Sequence, residues 1–185
     1  MTTEISALMA AAAERTVPIV QGIRDDQLGD PTPCDKFQVR DLLNHLFQVV
    51  VSFQGAARRE PLDFSDMPDF VTPGWRDRFA TETERMIAAW SDPAALEGIS
   101  PGMGMPQPLV GNLALADLTV HGWDLATATG QPYRPADAAV DHLFPFVQQM
   151  VPTGRQMGAF GDEVQAPEDA GVFERLLALS GRTVA

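Results

Sequence analysis

Apolar and polar positions follow a helical period over most of the chain. Ile5, Leu8, Met9, Ala12 and Val20 recur at three- and four-residue intervals within residues 3–22, Ala10–Ala13 adds propensity, and Thr2 or Thr3 can cap the start. Pro18 conflicts with an unbroken helix and predicts a kink or an end to its first part, with the helix still expected over residues 3–22. After the turn chemistry of Gly29-Asp30-Pro31-Thr32-Pro33, the stripe Val39, Leu42, Leu43, Leu46, Val49, Val50 and Phe53 predicts a second helix over Val39–Ala57. Residues 58–72 lose the period and read as an acidic connection. Thr72-Pro73 then starts a third helix carried by Trp75, Phe79, Thr83, Met86, Ile87 and Trp90 and stopped at Ser91-Asp92-Pro93. Glu97–Pro108 is too rich in glycine and proline for a regular helix and predicts a loop or short irregular strand. The fourth helix is expected over Leu109–Thr129, with Gly130 as a left-handed cap and Pro132 and Pro135 beyond it. A weaker fifth helix, Ala136–Met150, contains Pro145. Residues 151–170 read as irregular, and Val172–Leu179 forms a short last helix closed by Ser180-Gly181.

These elements predict an all-α fold: a four-helix bundle with a long crossover loop and a short C-terminal helical and irregular extension. One domain over residues 1–185 is expected, with its core in 1–130 and the extension in 131–185. The 45% hydrophobic content is dominated by alanine, leucine and valine and holds few aromatics, which favours helices over a β-sandwich.

A formal net charge of −12 excludes a basic face for nucleic acid and argues against an anionic membrane surface. The single cysteine, Cys34, cannot close an internal disulfide. The first ten residues, M-T-T-E-I-S-A-L-M-A, have neither the basic start nor the apolar run of a secretory signal, and no stretch approaches the roughly 20 apolar residues of a membrane helix. A cytoplasmic protein is expected.

Candidate chemistry sits in L-A-D-L-T-V-H-G-W-D-L-A-T-A-T-G, residues 115–130. Asp117 and His121, four residues apart, leave the same helical face one turn from each other. His45 lies three residues after Leu42 and four before Val49, on the inward side of the second helix. Together His45, Asp117 and His121 supply the three protein ligands of a catalytic divalent-metal site with one position left open. Asp124, three residues after His121, can accept a hydrogen bond from the ring nitrogen that faces away from the metal. Plainer readings stand beside this one. An Asp-x-x-x-His pair often decorates a solvated helix face, and a histidine in an apolar stripe is more often a hydrogen-bonded core residue than a ligand. Trp123 is expected in the core, His142 at the surface, and Cys34 as a small buried residue. Asn44 and Gln48 fall outside the stripe, to do other work or meet solvent.

Three ordered segments carry a family resemblance: T-P-C-D-K-F-Q-V-R-D-L-L-N-H-L (32–46), L-A-D-L-T-V-H-G-W-D-L-A-T-A-T-G-Q (115–131) and L-L-A-L-S-G-R (176–182). Together they resemble the actinobacterial metal-binding proteins of the DinB/YfiT-like fold, similar to the N-terminal domain of mycothiol-dependent maleylpyruvate isomerase. The resemblance implies a four-helix bundle and a three-ligand site of His45, Asp117 and His121, holding zinc as in the isomerase, or nickel or another divalent ion. The isomerase carries glutamate where this chain has Asp117. It also contributes an arginine from a separate C-terminal domain, and spacing places neither Arg155 nor Arg182 at the site here. Gln38 stands where relatives carry a serine or threonine helix cap.

The function so implied is a metal-dependent enzyme that uses a low-molecular-weight thiol, mycothiol, in isomerisation or S-transfer on a small electrophile, with the loop Pro101–Pro108 covering the pocket. A hydrolase using water as nucleophile and a non-catalytic metal- or ligand-binding bundle, as monomer or homodimer, remain as alternatives.

Overall fold

The computed structural model describes residues 2–184, so Met1 and Ala185, the two ends of the expected 1–185 domain, lie outside it. Among the described residues the chain forms six α-helices and no strand: α1 (Glu4–Gly22), α2 (Val39–Ala56), α3 (Trp75–Trp90), α4 (Gln107–Thr129), α5 (Asp137–Gln156) and α6 (Val172–Leu179).

Helix directions follow from side-chain contacts. The Thr3 hydroxyl at the start of α1 donates to the Trp90 carbonyl at the end of α3 (2.7 Å), so these two helices are antiparallel. Ile5 meets α4 at Gly111, and the Thr16 hydroxyl donates to the Leu118 carbonyl (2.8 Å), so α1 and α4 run parallel. The Phe47 and Phe79 rings pack 5.1 Å apart, and the Trp90 indole donates to the Phe53 carbonyl (3.0 Å), making α2 and α3 parallel. Gln107 at the start of α4 donates to Ala56 at the end of α2 (2.8 Å), which makes that pair antiparallel. The order is up, down, down, up.

Two parallel neighbours cannot be joined by a tight turn. The crossover, residues 57–74, has to retrace the ~27 Å length of α2. Polar groups of α2 hold it in place. The Asn44 side chain accepts from the Phe70 amide (2.8 Å), and the Gln48 amide donates to the Asp63 (3.2 Å) and Asp66 (2.8 Å) carbonyls. Both side chains are buried under the crossover, which is the work their position outside the apolar stripe leaves them.

Helix α4 is covered by α1, α2 and α5. Val110, Ala114, Leu115, Leu118 and Leu125 are wholly buried, and its polar face is confined to a few positions, as expected of a central helix. The apolar face of α5 (Ala139, Leu143, Phe146, Val147 and Val151) joins the same core cluster as the bundle helices.

Some boundaries depart from the sequence expectation. Helix α1 runs unbroken through Pro18, and α5 continues through Pro145 and Pro152 to Gln156. Each proline lies on an exposed face, four residues after an exposed residue (Glu14, Asp141 and Gln148), so water can satisfy the carbonyl it leaves unpaired. Helix α3 begins at Trp75 because Gly74 takes a left-handed conformation (φ 80°). Helix α4 starts two residues early, its Gln107 anchored on Ala56 and Ala95.

Candidate metal centre

His45 is carried by α2, between Leu42 and Val49, both buried against the core. The antiparallel packing of α2 and α4 brings it opposite Asp117 and His121. His45 Nε2 stands 3.6 Å from Asp117 Oδ1, and His121 Nε2 stands 3.3 Å from the same oxygen. The imidazoles meet edge to face, centroids 5.1 Å apart and planes at 88°. One donor atom from each residue lies within 4.8 Å of the other two.

This set fits a small divalent ion. Bonds of 2.0–2.2 Å to a tetrahedral centre place neighbouring donors about 3.3–3.6 Å apart, the range of the two separations found. Two imidazole nitrogens and one carboxylate oxygen are ordinary zinc ligands. Side-chain exposures of 22% for His45, 27% for Asp117 and 11% for His121 leave the carboxylate side open to a small molecule.

The ligand side chains are held from behind. Phe37 stacks on the His45 ring at 5.6 Å and 19°. His121 Nδ1 lies 2.9 Å from Asp124 Oδ2, and the carboxylate can only accept, so Nδ1 carries a hydrogen and Nε2 is the nitrogen that faces the site. Asp124 is completely buried and meets Arg182 through two hydrogen bonds, Nε to Oδ1 (2.8 Å) and Nη2 to Oδ2 (2.7 Å).

Electrostatics follow this geometry. Burial works against the Asp117 carboxylate, yet hydrogen bonds and charge from His121 and His45 outweigh it and hold its pKa well below the usual range. Burial likewise opposes a charged His121, and Asp117 and Asp124 overcome that and raise its pKa. Asp124 is held low, against its burial, by His121 and Arg182. In the metal-free protein a proton is thus favoured where three donors converge, the position a cation would take.

Other sequence expectations fall elsewhere. Arg182 is the residue that sequence reasoning did not place: it reaches the back of the site, while Arg155 binds the Gly161 and Leu179 carbonyls. Cys34 is half-buried rather than buried, and is not one of the converging donors. Burial pushes its thiol pKa up, with the Arg182 charge opposing and the Asp124 charge adding. His142 is not free at the surface: it is half-buried, and its Nε2 pairs with Asn112 Oδ1 (2.9 Å). Trp123 is half-buried at the edge of a groove of about 630 Å³ whose far wall is α6. The loop Pro101–Pro108 does not cover the site. It packs on Pro61 and Leu62 at the other end of α4, ten residues and about 15 Å of helix from Asp117.

The family model described as the mycothiol maleylpyruvate isomerase N-terminal domain matches residues 9–126, a span that includes α2, most of α4 and all three converging side chains. Two uncharacterized proteins of Mycobacterium tuberculosis, one from strain CDC 1551 and one from strain H37Rv, are each 30% identical over 177 residues, 94% of this chain and 94% of their own length. No solved structure matches. Among the described residues no helix is long and apolar enough to cross a membrane.

Proposed function

The chain belongs to the mycothiol maleylpyruvate isomerase N-terminal domain family, and from that premise we propose that it is a metal-dependent enzyme acting with a low-molecular-weight thiol. Mycothiol is the thiol the family's name supports, and the reaction is an isomerisation or S-transfer on a small electrophile. One observation carries this reading: His45, Asp117 and His121, from two helices, bring one donor atom each within 4.8 Å of one another.

His45 Nε2, Asp117 Oδ1 and His121 Nε2 are the groups that would hold the ion, zinc being the first choice for this donor set. When bound, a divalent ion supplies the positive charge that favours a thiolate over a thiol at neutral pH. Asp117 brings the one negative charge among the three donors, the other two being imidazoles, and the Asp124 charge behind His121 is balanced by Arg182. These three donors would leave a bound ion free to take an exogenous group, and His45 and Asp117 are the ligands partly exposed to solvent. Phe37 and Asp124 keep the two imidazoles from turning.

The test is turnover of small electrophilic acids by zinc-loaded, untagged protein, with and without added mycothiol. Thiol-dependent turnover that is lost in His45→Ala supports the proposal. Turnover of ester or amide substrates without any thiol would point to hydrolysis instead, and bound metal with no turnover to a binding protein.

A further inference from the structure

The matched family segment ends at residue 126, yet the interactions behind His121 continue to a residue far beyond it. We propose that Arg182 is a positioning residue for metal binding: its guanidinium clamps Asp124 so that the carboxylate fixes His121 with Nδ1 protonated and Nε2 turned to Asp117. This rests on the metal-site reading above.

The clamp is a fork on a fork. Arg182 Nε and Nη2 donate to the two Asp124 oxygens at 2.8 and 2.7 Å, and Oδ2 also accepts from His121 Nδ1 at 2.9 Å. Both ends are shielded from water, with Asp124 at 0% and Arg182 at 6% exposure. A planar guanidinium sets both the charge and the orientation of a carboxylate, which a lysine ammonium cannot do. Held by that permanent cation, Oδ2 accepts from Arg182 Nη2 and from His121 Nδ1–H together. Without that guanidinium the buried carboxylate would be free to rotate. Rotated away, it would no longer accept from Nδ1–H, and the ring hydrogen would be free to move to Nε2, the nitrogen the metal needs.

The chain segment that delivers Arg182 is itself shaped for the purpose. Arg182 Nη1 donates to the Ser180 hydroxyl (3.0 Å), which donates to the Leu177 carbonyl (2.8 Å), while the Arg182 amide also donates to Leu177 (3.0 Å). Gly181 takes φ 90°, and a β-carbon there would stand 2.7 Å from Gly161 Cα. The turn after α6 therefore presents the guanidinium in one arrangement. Arg182 points at Asp124 rather than at the three donors, which makes it a support of the ligand set and not a group that meets substrate.

Arg182→Met, Arg182→Lys and Arg155→Met separate positioning from mere tethering. Arg155 ties the same segment through the Gly161 (3.1 Å) and Leu179 (3.2 Å) carbonyls without touching Asp124. Two measurements are made: the His121 tautomer by imidazole ¹⁵N chemical shifts of the metal-free protein under alkaline conditions, and zinc(II) affinity by chelator competition. The parent and Arg155→Met should show the Nδ1–H form and equal affinity. Arg182→Met should acquire Nε2–H character and lose roughly 10–100-fold in zinc affinity. Arg182→Lys, which keeps the charge and guards against a folding failure of the methionine variant, should lie between. An unchanged tautomer and affinity in both Arg182 variants, or equal losses in Arg155→Met, would overturn the proposal. A parent that binds no zinc(II) removes the metal reading instead, and the tautomer shifts still decide whether Arg182 positions His121.

Discussion

Gly122 and Thr16 meet across the α1–α4 contact with no space between them: a β-carbon at position 122 would lie 2.4 Å from the Thr16 hydroxyl oxygen and 2.9 Å from the Tyr133 hydroxyl. Neither neighbour can move freely. The Thr16 hydroxyl donates to the Leu118 carbonyl (2.8 Å) and the Tyr133 hydroxyl to the Thr119 carbonyl (3.0 Å). The glycine beside His121 is therefore what lets α1 close on the ligand-bearing helix.

Gly122→Ala should destabilise the protein by roughly 1–3 kcal/mol through overpacking. For a chain of this length that is a fall in Tm of roughly 2–12 °C, measurable by thermal denaturation of the metal-free protein. An unchanged Tm would mean the α1–α4 contact is looser than this geometry requires.

Metal addition gives the second prediction. Ligand that binds only the native state at a hundred times its Kd contributes about 2.7 kcal/mol, or roughly 5–11 °C of Tm for this length. Zinc should raise the Tm of the parent by that order and leave His45→Ala and Asp117→Ala nearly unmoved. Both residues are partly exposed, so their replacement leaves the core intact. An equal rise in the variants would place the bound metal at some other group.

The four bundle helices were legible because each carries an apolar stripe at the helical period, and the C-terminal stops at Ser91-Asp92-Pro93 and Gly130 were set by local backbone chemistry. Pro18 misled as to a kink, and the run of α5 beyond Met150 was missed, because a proline's effect depends on which face meets water, and that is decided by packing. His45, Asp117 and His121 were legible as candidates from their register on two helices, and the antiparallel pairing of α2 with α4 supplied what spacing could not. Arg182 was not legible as a partner of Asp124: the two are 58 residues apart, and the turn after α6, packed closely on Gly161, brings them together. Nor could spacing show that the Pro101–Pro108 loop folds onto Pro61 and Leu62, away from the site.

The crossover offers a third prediction. Its Phe70 amide is satisfied by the Asn44 side chain (2.8 Å), and the Asn44 amide reaches Asp69 (3.3 Å). Asn44→Ala removes that acceptor, and Phe70 N–H should then exchange with deuterium faster, by about tenfold for each 1.4 kcal/mol of lost local stability. Amides in the middle of α4 should be far less affected. Uniform acceleration across the bundle would instead make Asn44 a determinant of global stability.

Tyr133, the sole tyrosine of the chain, provides a pH signal free of overlap. Burial, opposed by the Thr16 hydrogen bond and the Arg15 charge, pushes its phenol up to about 12. A free phenol titrates near 10. The folded state thus binds the proton more tightly than the unfolded state does. The resulting stability is fully present below about pH 10 and is lost as pH rises towards 12. Tyr133→Phe gives up the hydrogen bond to Thr119, about 0.5–1.5 kcal/mol, and should be the less stable protein at neutral pH. Above about pH 10 the parent alone loses roughly 1.4 kcal/mol for each pH unit, so the gap should narrow and then reverse. Denaturant unfolding of both proteins across this range, with phenolate absorbance of the parent as the direct readout, tests the sign. Phenolate appearing near pH 10 while the helices remain intact would show that the hydroxyl is not held between Thr16 and Thr119, and would loosen the packing that sets α4 against α1.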